Sequence, residues 1–165
     1  MLPQKDFHHK KAPLPSNEDV LYARSIQGML APTDEELNEL FPDLAIYDKP
    51  FGYLSGDFLF ARKKKDLTFL AVCDCTGHGI SAALMTVLAR EKLAHAFDKS
   101  IGPAHLLTRL DEKFRRSILR GDKGRLMRAG AGMDLAVVAF NHDRKSLRFA
   151  GARRPLWIVR DGALL

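Results

Sequence analysis

Apolar and polar residues change period several times along the chain, and each change marks an element. Ser16 followed by Asp19 has the spacing of a capping box, in which the two side chains satisfy orphan amides at a helix start. The helix predicted from there runs to about Leu30, with Tyr22, Ile26, Met29 and Leu30 as its apolar stripe. Thr33 and Glu36 repeat the signal before a short segment that ends at Phe41-Pro42, where proline stops a helix. Strands are predicted over Leu44–Asp48, Ser55–Arg62 and Leu67–Asp74, with Pro50-Phe51-Gly52 as a loop between the first two. After Gly77-His78-Gly79 the period becomes helical. Ile80, Ala83, Leu84, Val87 and Leu88 predict one buried face of a helix that reaches Phe97, and Gly102-Pro103 breaks it. A second helix turns Leu106, Leu107, Leu110, Phe114 and Ile118 inward. A basic, glycine-bearing loop from Gly121 to Gly132 leads to three more strands, Met133–Phe140, Ser146–Ala150 and Leu156–Val159. Hairpin strands, two helices and strands again predict an α+β domain with antiparallel sheet.

Composition narrows the class. The 165 residues suit one domain, and 46% hydrophobic with 28% charged residues is the balance of a globular chain. No run approaches the roughly 18 unbroken apolar residues of a membrane helix, and Met1 to Asn17 lack the apolar core of a secretory signal, so the expected compartment is the cytoplasm. The net charge of +6 is scattered rather than gathered on one periodic face, which favours a solvated surface over a nucleic-acid groove. Cys73 and Cys75 flank one aspartate; two apart on a strand, they share a side but are poorly placed for a disulfide, and read as buried free thiols. Residues 1 to 16, with three prolines and His8-His9, read as a linker or flexible arm.

The most informative step is a hairpin register. A turn at Lys65-Asp66 pairs Lys63 with Thr68, Ala61 with Leu70, Leu59 with Val72, and Asp57 with Asp74. A slip of one residue would send the two aspartates to opposite faces. Directly opposite, their β-carbons would stand about 4.5–5.5 Å apart. Two unit charges at 4 Å repel by roughly 4 kcal/mol at an effective dielectric of 20. Either one carboxyl is protonated or a cation lies between them. Oxygen ligands with open positions suit magnesium or manganese rather than zinc. The bland alternative is that each aspartate is a turn or cap residue at a strand end.

Seven motifs bear on that choice. Tyr22-Ala23-Arg24-Ser25-Ile26-Gln27, Phe41-Pro42-Asp43, Lys49-Pro50 and Ser55-Gly56-Asp57-Phe58 are followed by Asp74-Cys75-Thr76-Gly77-His78-Gly79. Gly132-Met133-Asp134 and Phe149-Ala150-Gly151-Ala152-Arg153-Arg154-Pro155-Leu156 complete the series. In this order they resemble the SpoIIE-like branch of the PPM family, the metal-dependent (type 2C) protein serine/threonine phosphatases, over residues 20 to 165. The resemblance implies a PPM-type sandwich of antiparallel β-sheets flanked by α-helices. It divides the chain into a flexible arm (1–16), regulatory or linker helices (17–40) and a partial phosphatase domain (41–165). It also implies two Mn²⁺ or Mg²⁺ ions and hydrolysis by metal-activated water without a covalent intermediate. Asp57 then matches the acidic residue of the first motif, Asp74 the carboxylate bridging both ions, and the Cys75 carbonyl the backbone ligand beside it.

His78 and Arg153 are candidate phosphate contacts, weighed against a structural or exposed role for the histidine and an ordinary hairpin arginine. Asp134 begins a strand, where a turn or cap role is favoured over catalysis. Family members continue into a Ser/Thr-Asp-Gly motif that completes a metal site. Asp161-Gly162 precedes that position, so the domain is expected to be incomplete at its C-terminus. This leaves a second reading, a non-catalytic interaction module of phosphatase ancestry. The partners the resemblance implies are a phosphorylated anti-sigma-factor antagonist, an upstream sensor or receiver domain, and a second copy in a homodimer joined through the first helix.

Overall fold

The computed structural model describes residues 15–50, 52–120 and 130–165, the side chains of Ile118 and Arg120 excepted. His8-His9, Phe51, the stretch 121–129 of the predicted basic loop and the Ile118 side chain lie outside it. Helix α1 (Asn17–Met29) and helix α2 (Asp34–Leu40) both start on the predicted capping boxes, Ser16 with Asp19 and Thr33 with Glu36. A hairpin of β1 (Asp57–Lys64) and β2 (Leu67–Cys75) follows, then α3 (Gly79–Asp98) and α4 (Pro103–Arg120). Strands β3 (Met133–Asn141) and β4 (Ser146–Ala152) complete a four-stranded antiparallel sheet of order β1-β2-β3-β4. Strands β5 (Val159–Arg160) and β6 (Ala163–Leu164) form a separate two-residue ribbon.

Alternation decides what the sheet buries. Phe58 and Phe60 on β1, Phe69, Ala71, Cys73 and Cys75 on β2, and Leu135, Val137 and Ala139 on β3 share one face and form the core with α3 and α4. Phe97 at the end of α3 packs edge-on against Phe60 and Phe69, with centroids 5.6 and 5.2 Å away. Lys64 lies over the same ring and donates to the carbonyls of Phe97 (3.1 Å), Asp98 (2.7 Å) and Ser100 (2.8 Å), which places a cation on the negative end of α3. On the opposite face Val72, Leu147 and Phe149 stay exposed.

Three expectations are corrected. Leu44–Asp48 forms no strand: prolines at 42 and 50 flank it, and Ile46 and Tyr47 are exposed with no partner strand among the described residues. Of Leu156–Val159 only Val159 enters a ladder, that of the short β5–β6 ribbon. The face α3 buries is Ala82, Thr86, Ala89, Leu93 and Ala96, whereas Ile80, Leu84 and Val87 are 48, 66 and 44% exposed. Small side chains let α3 lie close to the sheet, so its larger apolar residues point away from it. In α4 the expected Leu106, Leu110 and Phe114 are buried.

Arg90 ties α3 to the sheet and to α1. It donates to the carbonyl of Leu59 on β1 (2.8 Å) and to that of Leu30 after α1, with its guanidinium 4.7 Å from the Phe58 ring centroid. Burial lowers its pKa from the usual arginine value.

Candidate metal centre

The β1–β2 register is the one the turn predicts: Lys63 faces Thr68, Ala61 faces Leu70, Leu59 faces Val72, and Asp57 faces Asp74. Lys65 takes a left-handed conformation at the tip (φ 55°). The row continues one strand further, because Asp74 also faces Asp134 on β3. Three aspartates therefore stand side by side across three strands, on the face away from the core. Asp134 stands at the start of β3, where a strand was expected, and the ladder adds its place in this row. No hairpin joins β2 to β3, so their register had no local signal.

Small residues shape the ends of these strands. Gly56 precedes Asp57, and a β-carbon there would lie 2.7 Å from the Cys75 carbonyl oxygen and 3.3 Å from Ala82 Cβ. Only glycine lets that carbonyl approach the strand carrying Asp57. The Cys75 N–H in turn donates to the Gly56 carbonyl (2.9 Å). Thr76 uses both its N–H (3.0 Å) and its hydroxyl (3.2 Å) to hold the Gly132 carbonyl, fixing the exit of β2 beside the entry of β3. Gly77 and Gly79 have positive φ (107° and 65°) and turn the chain from β2 into α3.

His78 occupies the N-cap position of α3, whose first turn holds no acidic residue. It lines a cavity of about 380 Å³ together with Tyr53, Ser55, Asp57, Asp74 and Ile80. Gln27 of α1 reaches the same loop. Its Nε2 donates to the Ser55 carbonyl (2.6 Å) and to Thr86 Oγ1 (3.1 Å), while its Oε1 accepts from the Ser55 N–H (3.0 Å). The Ser55 hydroxyl accepts from the Asp57 N–H (2.9 Å).

Arginines close the other side. The turn after β4 puts Arg153 Nε 3.7 Å from Asp134 and brings the Arg154 guanidinium against Asp74. Arg153, a predicted contact, lies beside the row rather than in the cavity with His78. Cys73 and Cys75 are free and buried. Burial, assisted by the Asp57 charge, pushes the Cys75 thiol up to about 12, and burial first, then the neighbouring Cys75, raises the Cys73 thiol as well. The Cys75 side chain lies in the core on the face opposite Asp74, so what it presents to the aspartate row is its carbonyl oxygen.

The donors on this edge are all oxygens: three carboxylates and a backbone carbonyl admitted by a glycine. That set fits magnesium or manganese. Among the described residues, no three His, Cys, Asp or Glu side chains converge closely enough to hold one ion by themselves. An ion held here would need backbone oxygen and water as well as Asp57 and Asp74. Among the described residues no helix is long and apolar enough to cross a membrane.

Residues 64–163 match the family described as Stage II sporulation protein E (SpoIIE). Among solved structures the chain is similar to the SiaA-PP2C domain of Pseudomonas aeruginosa, with 33% identity and a TM-score of 0.70, covering 82% of this chain and 53% of that one. The chain thus spans about half the length of the structure it matches. No curated protein sequence matches it. The aspartate register, the glycine-framed strand ends and both similarities agree, and the chain belongs to the SpoIIE-like branch of the PPM phosphatase family.

Proposed function

We propose that the chain carries part of the catalytic centre of a metal-dependent phosphatase acting on phosphoserine or phosphothreonine in a protein. The observation that supports this best is the pairing of Asp57 with Asp74 beside the cavity at the start of α3. Asp57, Asp74 and the Cys75 carbonyl would hold Mn²⁺ or Mg²⁺. The chemistry such ions would supply is polarisation of a phosphoryl group and a lowered pKa of bound water. The chain's own groups bind and orient. The amide end of α3, free of acidic residues, favours a phosphate dianion. His78 at its cap and Arg153 at the edge of the aspartate row are the candidate phosphate contacts.

The scattered positive charge suits an acidic or phosphorylated protein, and we take the substrate to be an anti-sigma-factor antagonist in bacterial cytoplasmic signalling. Helix α1 offers the route for regulation by an upstream sensor or receiver domain. Tyr22, Ile26 and Met29 are exposed for such a domain or a second copy, while Gln27 of the same helix holds the loop before Asp57.

Asp74→Asn, in this chain or in a longer protein containing it, should abolish manganese-dependent phosphate release from a phosphoserine protein and from p-nitrophenyl phosphate. Undiminished turnover by that variant would remove the proposal. The absence of three converging metal-binding side chains among the described residues favours a second reading, an interaction module that binds a phosphoprotein without turning it over. Calorimetric titration with manganese separates the two, since tight binding of two ions supports catalysis.

A further inference from the structure

We propose that Arg154 is an internal cation that competes with divalent metal for Asp74, so that the turn after β4 sets the metal affinity of the site. This rests on the reading of Asp74 as a metal ligand.

The contact is not local. In the sheet order, β3 separates β4 from β2, so a residue following β4 reaches Asp74 only if the chain folds back across a strand. The turn does this. A β-carbon at Gly151 would lie 2.3 Å from the Arg154 carbonyl oxygen and 2.7 Å from Cζ of Phe149, so only glycine permits this return of the chain. Arg153 adopts a left-handed conformation (φ 61°) and bridges to Leu135 of β3. Its side chain points at Asp134, and the next residue, Arg154, meets Asp74. Two consecutive arginines thus answer two neighbouring aspartates of one row.

A carboxylate oxygen that accepts from a guanidinium has that lone pair engaged, and a fixed positive charge repels a divalent ion next to it. Arg154 and Asp74 are 47 and 40% exposed, so the pair is open to exchange rather than locked in the interior. Metal binding then has to displace the guanidinium, and the site fills only where the ion outcompetes it.

The test is calorimetric titration of the 165-residue chain with manganese chloride, comparing wild type with Arg154→Gln, Arg154→Lys and Asp74→Asn. Arg154→Gln should bind manganese about fivefold more tightly, the scale of one half-exposed ion pair. Arg154→Lys keeps the charge without the planar fork and should fall between wild type and Arg154→Gln; Asp74→Asn should lose the binding. If Arg154→Gln binds like wild type or more weakly while Asp74→Asn has lost the metal, the competition is wrong and the metal-site reading stands. If Asp74→Asn binds like wild type, or if no variant takes up manganese, the metal-site reading fails and the competition with it.

Discussion

Gln27 pairs with Ser55 as one strand residue pairs with another: its side-chain amide takes both the N–H and the C=O of that backbone unit, at 3.0 and 2.6 Å. Ser55 in turn receives the Asp57 N–H. A single side chain of α1 therefore governs the backbone immediately before a candidate ligand. Gln27→Ala would leave these backbone groups unpaired at a half-buried position and should cost about 1–3 kcal/mol. Chemical denaturation would measure the loss, and manganese affinity should fall with it. A normal manganese titration in a destabilised Gln27→Ala chain would confine the residue to holding the fold.

Gly56→Ala tests the carbonyl approach. The added methyl meets the Cys75 oxygen at 2.7 Å, so one of the two strand ends must move. A cost of about 1–3 kcal/mol is expected from such overpacking. Metal binding should suffer more than stability, because the displaced atoms are those beside Asp57 and Asp74. Alanine at Gly52, where an added β-carbon would meet nothing within 4 Å beyond its chain neighbours, is the control and should leave both unchanged.

Lys64→Met keeps the stem over Phe97 and removes the charge from three carbonyls at the end of α3. Its expected cost is about 1–3 kcal/mol, or roughly 2–4 °C of unfolding midpoint per kcal/mol in a chain of this size. A melt showing no change would mean that water satisfies those carbonyls equally well.

The buried thiols give a pH dependence. With the Cys75 pKa raised from 9.0 to about 12, the folded state keeps a proton that the unfolded state releases above pH 9. Their contribution is constant below pH 9 and is lost as pH rises toward 12. Urea midpoints measured across that range should fall with pH, and Cys73→Ala/Cys75→Ala should flatten the decline. In the native chain neither thiol should react with a disulfide reagent at neutral pH.

What the sequence made legible follows from the range of the forces involved. Capping boxes at Ser16 and Thr33 are contacts over three residues and were readable directly. The hairpin turn at Lys65-Asp66 fixed the facing of Asp57 and Asp74, since a two-residue turn leaves little freedom in register. Asp134 was not readable in the same way: 57 residues separate Cys75 from Met133 by position, and two helices fill most of that interval. Its place in the row is decided by the packing of α3 and α4 under the sheet. The same packing overrode the apolar pattern of α3, where Ala82, Thr86 and Ala89 face the strands because larger residues would hold the helix off. The contact of Arg154 has no local signal, because its target lies two strands away. Leu44–Asp48 had strand-like composition but no neighbouring ladder to join.

Arg90 has a consequence beyond joining α1 and α3. Among the described residues strand β1 is an edge of the sheet, the kind of surface on which a second polypeptide can add itself and start an aggregate. The Arg90 guanidinium already occupies the Leu59 carbonyl midway along that edge, and Arg62, Lys63 and Lys64 crowd its far end with charge. An incoming chain would have to evict a half-buried cation to gain one hydrogen bond, so the architecture discourages self-templating at this border.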